Sequence, residues 1–172
     1  MDRRSALMAT ASTLAVGLSL GVGAARAQLS GLKQRIVGTW MLVSILLIAP
    51  DGKRTEPPIG PNAKGMLILD PAGYFSWILL SSDIPKVASN SLPAATDAEK
   101  KAMGQGTLTY FGTYTVDEAS TALVMRIEIS SYPNFSGAEQ RRTIKLENDE
   151  LTLTNPTAAN AGSATVIWKR AR

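Results

Sequence analysis

The sequence predicts an all-β chain: one antiparallel β-barrel of eight or nine strands, with a short N-terminal helix and one long loop/helix insertion. Three observations carry this prediction. The stretch from Tyr110 to Leu153 reads strand, turn, strand, loop, strand, turn, strand, with almost no helical spacing inside it. Turn signals recur at roughly the 8–12 residue spacing of a small barrel or sandwich. Upstream, Gly38-Thr39-Trp40 places a large aromatic at the start of the first strand. A barrel of this size is filled by side chains or holds one small molecule.

The first 27 residues stand apart from this pattern. Arg3-Arg4 form a positive n-region, Ala6 to Ala25 is an uncharged run rich in Ala, Leu, Gly and Ser, and Ala25-Arg26-Ala27 is a small-x-small cleavage site. The segment is expected to be an export signal. The arginine pair, with an apolar run diluted by Gly, Ser and Thr, resembles a twin-arginine signal, although Asp2 and Ala6 depart from its usual residues. An ordinary secretory signal fits the same features, and either route places residues 28–172 in the periplasm or outside the cell. Cleavage after Ala27 leaves 145 of the 172 residues, one domain with a real core. It also lowers the net charge from +4 to +2. No membrane span is expected in the mature chain.

Composition narrows the chemistry. There is no cysteine, which removes disulfides, thiolate metal sites and thiol catalysis. There is no histidine, which removes a Ser-His-Asp triad, an imidazole base and any His-containing zinc site. No metal and no cofactor is expected. Apart from the terminal Lys169-Arg170-Ala171-Arg172 no basic run is interleaved with aromatics, so nucleic acid is not an expected partner.

Element by element, Leu29 to Val37 has Leu32, Ile36 and Val37 spaced for one face of a short helix that ends at Gly38. Trp40 to Ile48 is an apolar, β-branched run suited to a strand covered on both sides, and Pro50-Asp51-Gly52 turns it towards Lys53 to Glu56. Pro57-Pro58, Gly60 and Pro61 then break the ladder, because proline lacks the amide donor. Gly65 to Leu69 and Tyr74 to Leu80 form a hairpin across Asp70-Pro71-Ala72-Gly73. Ser81 to Gly106 is the long insertion, with a short helix from Asp97 to Met103 capped by Thr96; a connection of this length is either a lid or an exposed loop. Strands follow at Thr107 to Val116, Thr121 to Ser130, Glu139 to Glu147, Glu150 to Asn155 and Ala164 to Arg170.

Several of these residues together resemble a known family. Val37-Gly38-Thr39-Trp40, Pro61-Asn62-Ala63-Lys64-Gly65, Pro71-Ala72-Gly73-Tyr74, Tyr110-Phe111-Gly112-Thr113-Tyr114, Pro133-Asn134-Phe135-Ser136-Gly137 and Gln140-Arg141-Arg142 occur in the order of the bacterial and fungal lipocalin-like domain family. The resemblance runs from Leu32 to Trp168. It implies a small barrel with an internal pocket, closed at one end by Trp40 with Lys169 or Arg170 packed across it. It does not imply an activity. The chain departs from the family pattern where Met125-Arg126-Ile127-Glu128 replaces a stretch that often carries histidine, and where Phe135 replaces tryptophan.

Strand parity gives the candidate site residues. Leu123, Met125, Ile127 and Ile129 share one face, Arg126 and Glu128 the other, while Gln140 and Arg142 share a face with Ile144 and Leu146. If paired positions sum to an even number, Arg126, Glu128, Gln140 and Arg142 cluster. An odd register scatters them. Aromatics form the second set: Tyr110 and Tyr114 share a face with Gly112, and Tyr74 and Trp77 lie on opposite faces of their strand. The acids of Asp70-Pro71-Ala72-Gly73 and Glu147-Asn148-Asp149-Glu150 fit turns and do not follow an EF-hand. Three functions fit: an exported binder of a small apolar or amphipathic molecule, a cofactor-free cyclase, isomerase or hydrolase using Arg126, Glu128, Arg142 and a tyrosine, and an envelope-associated structural protein.

Overall fold

The computed structural model describes residues 31–158 and 162–172, so the expected export segment lies outside the described residues. Among the described residues nine strands are present: β1 (Gly38–Ile48), β2 (Arg54–Thr55), β3 (Ala63–Leu69), β4 (Tyr74–Ser81), β5 (Thr107–Asp117), β6 (Ala122–Ser130), β7 (Glu139–Glu147), β8 (Glu150–Ala158) and β9 (Gly162–Arg170). They run as a meander in the order β2-β1-β3-β4-β5-β6-β7-β8-β9, and β1 also pairs with β9. That last pairing, from Trp40↔Arg170 to Ile48↔Gly162, closes eight strands into a barrel and leaves β2 as a short ribbon beside β1. Among the described residues two α-helices accompany them, α1 (Leu32–Ile36) and α2 (Asp97–Gln105).

The pleat decides what fills the barrel. Leu67 and Leu69 on β3, Phe75, Trp77 and Leu79 on β4, Tyr110 and Tyr114 on β5, and Leu123, Met125 and Ile127 on β6 all point inward and are buried. Their alternate neighbours face water. On β1 the outer face is open, with Met41 47% and Val43 55% exposed, so the expectation of a strand covered on both sides is corrected. The register with β9 shifts between Leu42 and Ser44, which inserts Val43 as an extra residue and lets Leu42 and Ile45 both face inward.

A second irregularity sits opposite Gly112. The register of β5 and β6 shifts between Phe111 and Gly112. There the β6 backbone at Arg126 and Glu128 comes so close to Gly112 that a Cβ at this position would collide with it. Glycine at 112 is therefore a steric requirement of this bulge.

The two ends of the barrel differ. At one end stand α1, the β3–β4 turn, the β5–β6 turn and the β7–β8 turn, near buried Trp40, Leu69, Phe75 and Tyr114. Helix α1 is too short to be stable alone. It is tied down by Glu118, whose carboxylate accepts from Leu32 N and Lys33 N at 3.0 and 3.1 Å. At the other end stand the long connections 49–62, 82–106 and 131–138, and there inward-facing Leu42, Ile45, Ala63 and Leu108 are only half-buried against the core. This is the more open end, stoppered by Ile59 of 49–62, which is buried in the core, and by Phe135 of 131–138. Helix α2, in the 82–106 insertion, begins with a capping box in which Thr96 accepts from Glu99 N and the Glu99 side chain accepts from Thr96 N. No helix among the described residues is long and apolar enough to cross a membrane.

Candidate functional site in the barrel interior

The register of β6 and β7 places the charged residues. Leu123 faces Arg142, Met125 faces Gln140 and Arg126 faces Glu139, so paired positions sum to an odd number. Gln140 and Arg142 consequently join the interior, and Arg126 and Glu128 are exposed outside. The physical cause lies further along β7. Ile144 and Leu146 share the parity of Arg142, and burying Ile144 and packing Leu146 against the core carries the arginine inward with them. Outside, Arg126 pairs with Glu139 at 3.3 Å and Arg141 with Asp117 at 2.9 Å, both partly solvated. The constellation of Arg126, Glu128, Arg142 and a tyrosine is not brought together.

At mid-height the interior holds an aromatic cluster around one cation. Trp77 stacks on Tyr110 with ring centroids 5.5 Å apart and an interplanar angle of 13°. Trp168 meets Trp77 edge-on at 4.8 Å, and Phe75 and Phe135 each meet Tyr110 edge-on at 6.0 Å. The guanidinium of Arg142 lies 4.5 Å from the centre of the Trp77 ring. Arg142 is 6% exposed and is the only charged side chain buried among the described residues. Both of its hydrogen bonds leave from Nη2, to Gln140 Oε1 at 2.9 Å and to the Tyr110 hydroxyl at 3.3 Å. It forms no ion pair among the described residues.

This cluster has more donors than acceptors. Arg142 Nε, Trp77 Nε1 and Trp168 Nε1 are buried without a hydrogen-bond partner among the described residues. A buried, unpaired N–H costs about 1–3 kcal/mol, and more for a charged group. Burial pushes the Tyr110 phenol above its usual value of 10.0, against the opposing pull of the Arg142 charge, so Tyr110 stays neutral. Its oxygen accepts from Arg142 and its proton has no acceptor among the described residues.

The other expected residues have simpler roles. Tyr114 faces inward at the closed end, where its hydroxyl donates to Asp70 O at 2.8 Å. Burial, and then the Asp70 charge, raise its phenol. Tyr74 is 62% exposed on the outer face, away from Trp77 as the parity predicts. Arg170 closes the barrel end, 4.1 Å from the Trp40 ring centre, and Lys169 points to solvent. Trp168 escaped the sequence-based set, although its parity with Val166 and its place two residues before Arg170 mark it as inward-facing. No sequence signal marks its unpartnered indole.

Two surface concavities lie elsewhere. A cleft of about 250 Å³ at the rim of the open end is lined by Ile59, Gly60, Ser81, Ile84 and Gln105 among others. A second one of about 610 Å³ is formed by the insertion alone, around Lys86 and Leu92. Neither contains an unpartnered buried polar atom, so the distinctive chemistry is inside the barrel.

These features define an antiparallel barrel, capped at one end by tryptophan and arginine, covered by loops at the other, and polar at one point of its interior. The chain belongs to the lipocalin-like domain family, whose profile matches residues 37–171. Among solved structures it is similar to a lipocalin-like protein from Bacteroides uniformis ATCC 8492, at 14% identity over 78% of this chain and 97% of that one, with a TM-score of 0.43. It is also similar to a mutant of the fluorescent protein UnaG, at 12% identity over 80% of this chain and 97% of that one, with a TM-score of 0.35. No protein of curated function matches.

Proposed function

We propose that this chain is an exported binding protein that takes a small apolar or amphipathic molecule into the barrel through its open end. The supporting observation is the difference in cover between the ends: at the open end inward-facing Ile45, Ala63 and Leu108 are half-buried beneath loops, whereas at the other end, where Val116 and Leu146 are half-buried too, helix α1 and Arg170 cap Trp40. Apolar side chains left partly wet gain when a ligand removes the remaining water, at roughly 25 cal/mol per Å². Phe135, carried by the 131–138 connection, packs against the core at this end and is placed to move with an entering ligand. Export is supported by Arg3-Arg4, the uncharged run and Ala25-Arg26-Ala27. Titration with a fluorescent fatty acid, followed by displacement with unlabelled apolar compounds and native mass spectrometry, tests the binding. Saturable one-to-one occupancy is expected, and its absence across such a set sinks the proposal. N-terminal sequencing of protein recovered from the periplasm or medium tests export, with Gln28 as the expected first residue.

A further inference from the structure

The geometry points to an anionic head group as the part of the ligand that the barrel recognises, with Arg142 as its anchor and Gln140 as the residue it displaces. This inference rests on the binding reading above and specifies its chemistry. Arg142 carries a full charge at 6% exposure with no carboxylate paired to it among the described residues. A cation held in such surroundings without a counter-charge is costly, and the cost is relieved by an anion that accepts from it. Its surroundings are short of acceptors. Arg142 Nε and the indole N–H groups of Trp77 and Trp168 have no partner, so the cluster matches a group with several acceptor oxygens and no donors.

Gln140 explains how the ligand-free protein tolerates this arrangement. Its Oε1 accepts from Arg142 Nη2 at 2.9 Å, where a carboxylate oxygen would make a charge-assisted bond. It is half-buried and lies two residues closer to the open end, at the start of β7. Its amide is thus a neutral placeholder on the path from the mouth to the guanidinium, and it can swing outwards when an anion arrives. The body of the ligand then lies towards the half-buried Leu42, Ile45 and Leu108. The class is an apolar molecule ending in a carboxylate or a comparable oxyanion.

The probes are dodecanoate, 1-dodecanol and dodecylamine, which share a chain and differ in the head, titrated against the fluorescence of the interior tryptophans. Dodecanoate is expected to bind the folded protein about tenfold or more tightly than dodecanol, and dodecylamine more weakly still. Arg142→Met is expected to bring dodecanoate and dodecanol within about twofold of each other. Gln140→Glu, which supplies an internal carboxylate, is expected to weaken dodecanoate by about tenfold relative to dodecanol, and it keeps the test decisive if the arginine variant does not fold. Equal affinity of dodecanoate and dodecanol overturns the anionic head group and leaves barrel binding intact. Failure of all three probes to bind overturns both.

Discussion

The barrel contains two arginines laid over tryptophans, and they are in opposite states. At the sealed end Arg170 covers Trp40 at 4.1 Å, and every direction is answered: Trp40 Nε1 donates to Ile36 O at 2.8 Å, Arg170 Nη1 to Val37 O at 2.9 Å and Nη2 to Arg35 O at 2.6 Å. Asp149 stands 3.9 Å from its Nε. At mid-height Arg142 covers Trp77 at 4.5 Å, yet the indole N–H and the guanidinium Nε are both without partners. The same pair of side chains thus closes a structure in one place and leaves an unmet demand in the other. Stacking explains neither outcome, since it is common to both. The difference lies in the acceptors that backbone and carboxylate provide around the first pair and withhold from the second.

The largest test of this contrast is to remove each charge. Arg170→Met loses two charge-assisted hydrogen bonds and the stacking, and should lower stability by about 2–3 kcal/mol in urea unfolding. Arg142→Met removes an uncompensated buried charge, and should range from neutral to a gain of about 1–3 kcal/mol in the ligand-free protein. Equal losses at both positions would break the comparison. A smaller difference is expected between the indoles. Trp40→Phe gives up the bond to Ile36 O while Trp168→Phe gives up none, so the first should cost about 1 kcal/mol more than the second.

The phenols sharpen the contrast through pH. Tyr110 and Tyr114 are both held above 10.0 in the folded chain, so their contribution is complete below pH 10 and is lost as the pH rises through the folded values. Stability should fall in alkali in step with phenolate absorbance. Arg142→Met should move the Tyr110 titration further up and leave that of Tyr114 in place, because only Tyr110 is held down by that guanidinium. The smallest effect is outside the barrel. Asp117, bonded by Ser120 and then by Arg141, is lowered to about 2, so its contribution is present above its unfolded value of 3.8 and fades as the pH falls towards 2. Asp117→Asn should flatten that acid limb without changing ligand binding.

The elements were legible in the sequence where one face of a strand is uniformly apolar. Leu123, Met125 and Ile127 declare their strand, and Thr96 with Glu99 declares the start of α2. The Val43 bulge was not legible, because Trp40 to Ile48 is apolar at nearly every position and so carries no parity to break. The site was half legible. Gln140, Arg142, Tyr110 and Trp77 could be named from residue type and alternation, but the sign of the β6–β7 register depends on how residues 131–138 turn, including the short 3-10 turn Pro133–Phe135. The clue that resolves it is Ile144 and Leu146, whose need for burial outweighs the exposure that Arg142 alone would favour. The missing acceptors around Trp77 and Trp168 are a property of three-dimensional surroundings and leave no trace in the chain.

The seam between β1 and β9 has a consequence for how the molecule comes into being. Arg170 reaches back to Val37 across 133 positions, and one edge of β1, from Trp40 to Ile48, is paired with the final strand. Until that strand is available, β1 and β8 each present a free row of amides and carbonyls, the kind of edge on which chains join one another. Closure over such a span is entropically slow, in the range of milliseconds to seconds for barrels dominated by distant contacts. A chain cut short before Gly162 should therefore aggregate as an open sheet instead of surviving as a smaller barrel. The final nine-residue strand, Gly162–Arg170, works as a completeness check on everything synthesised before it.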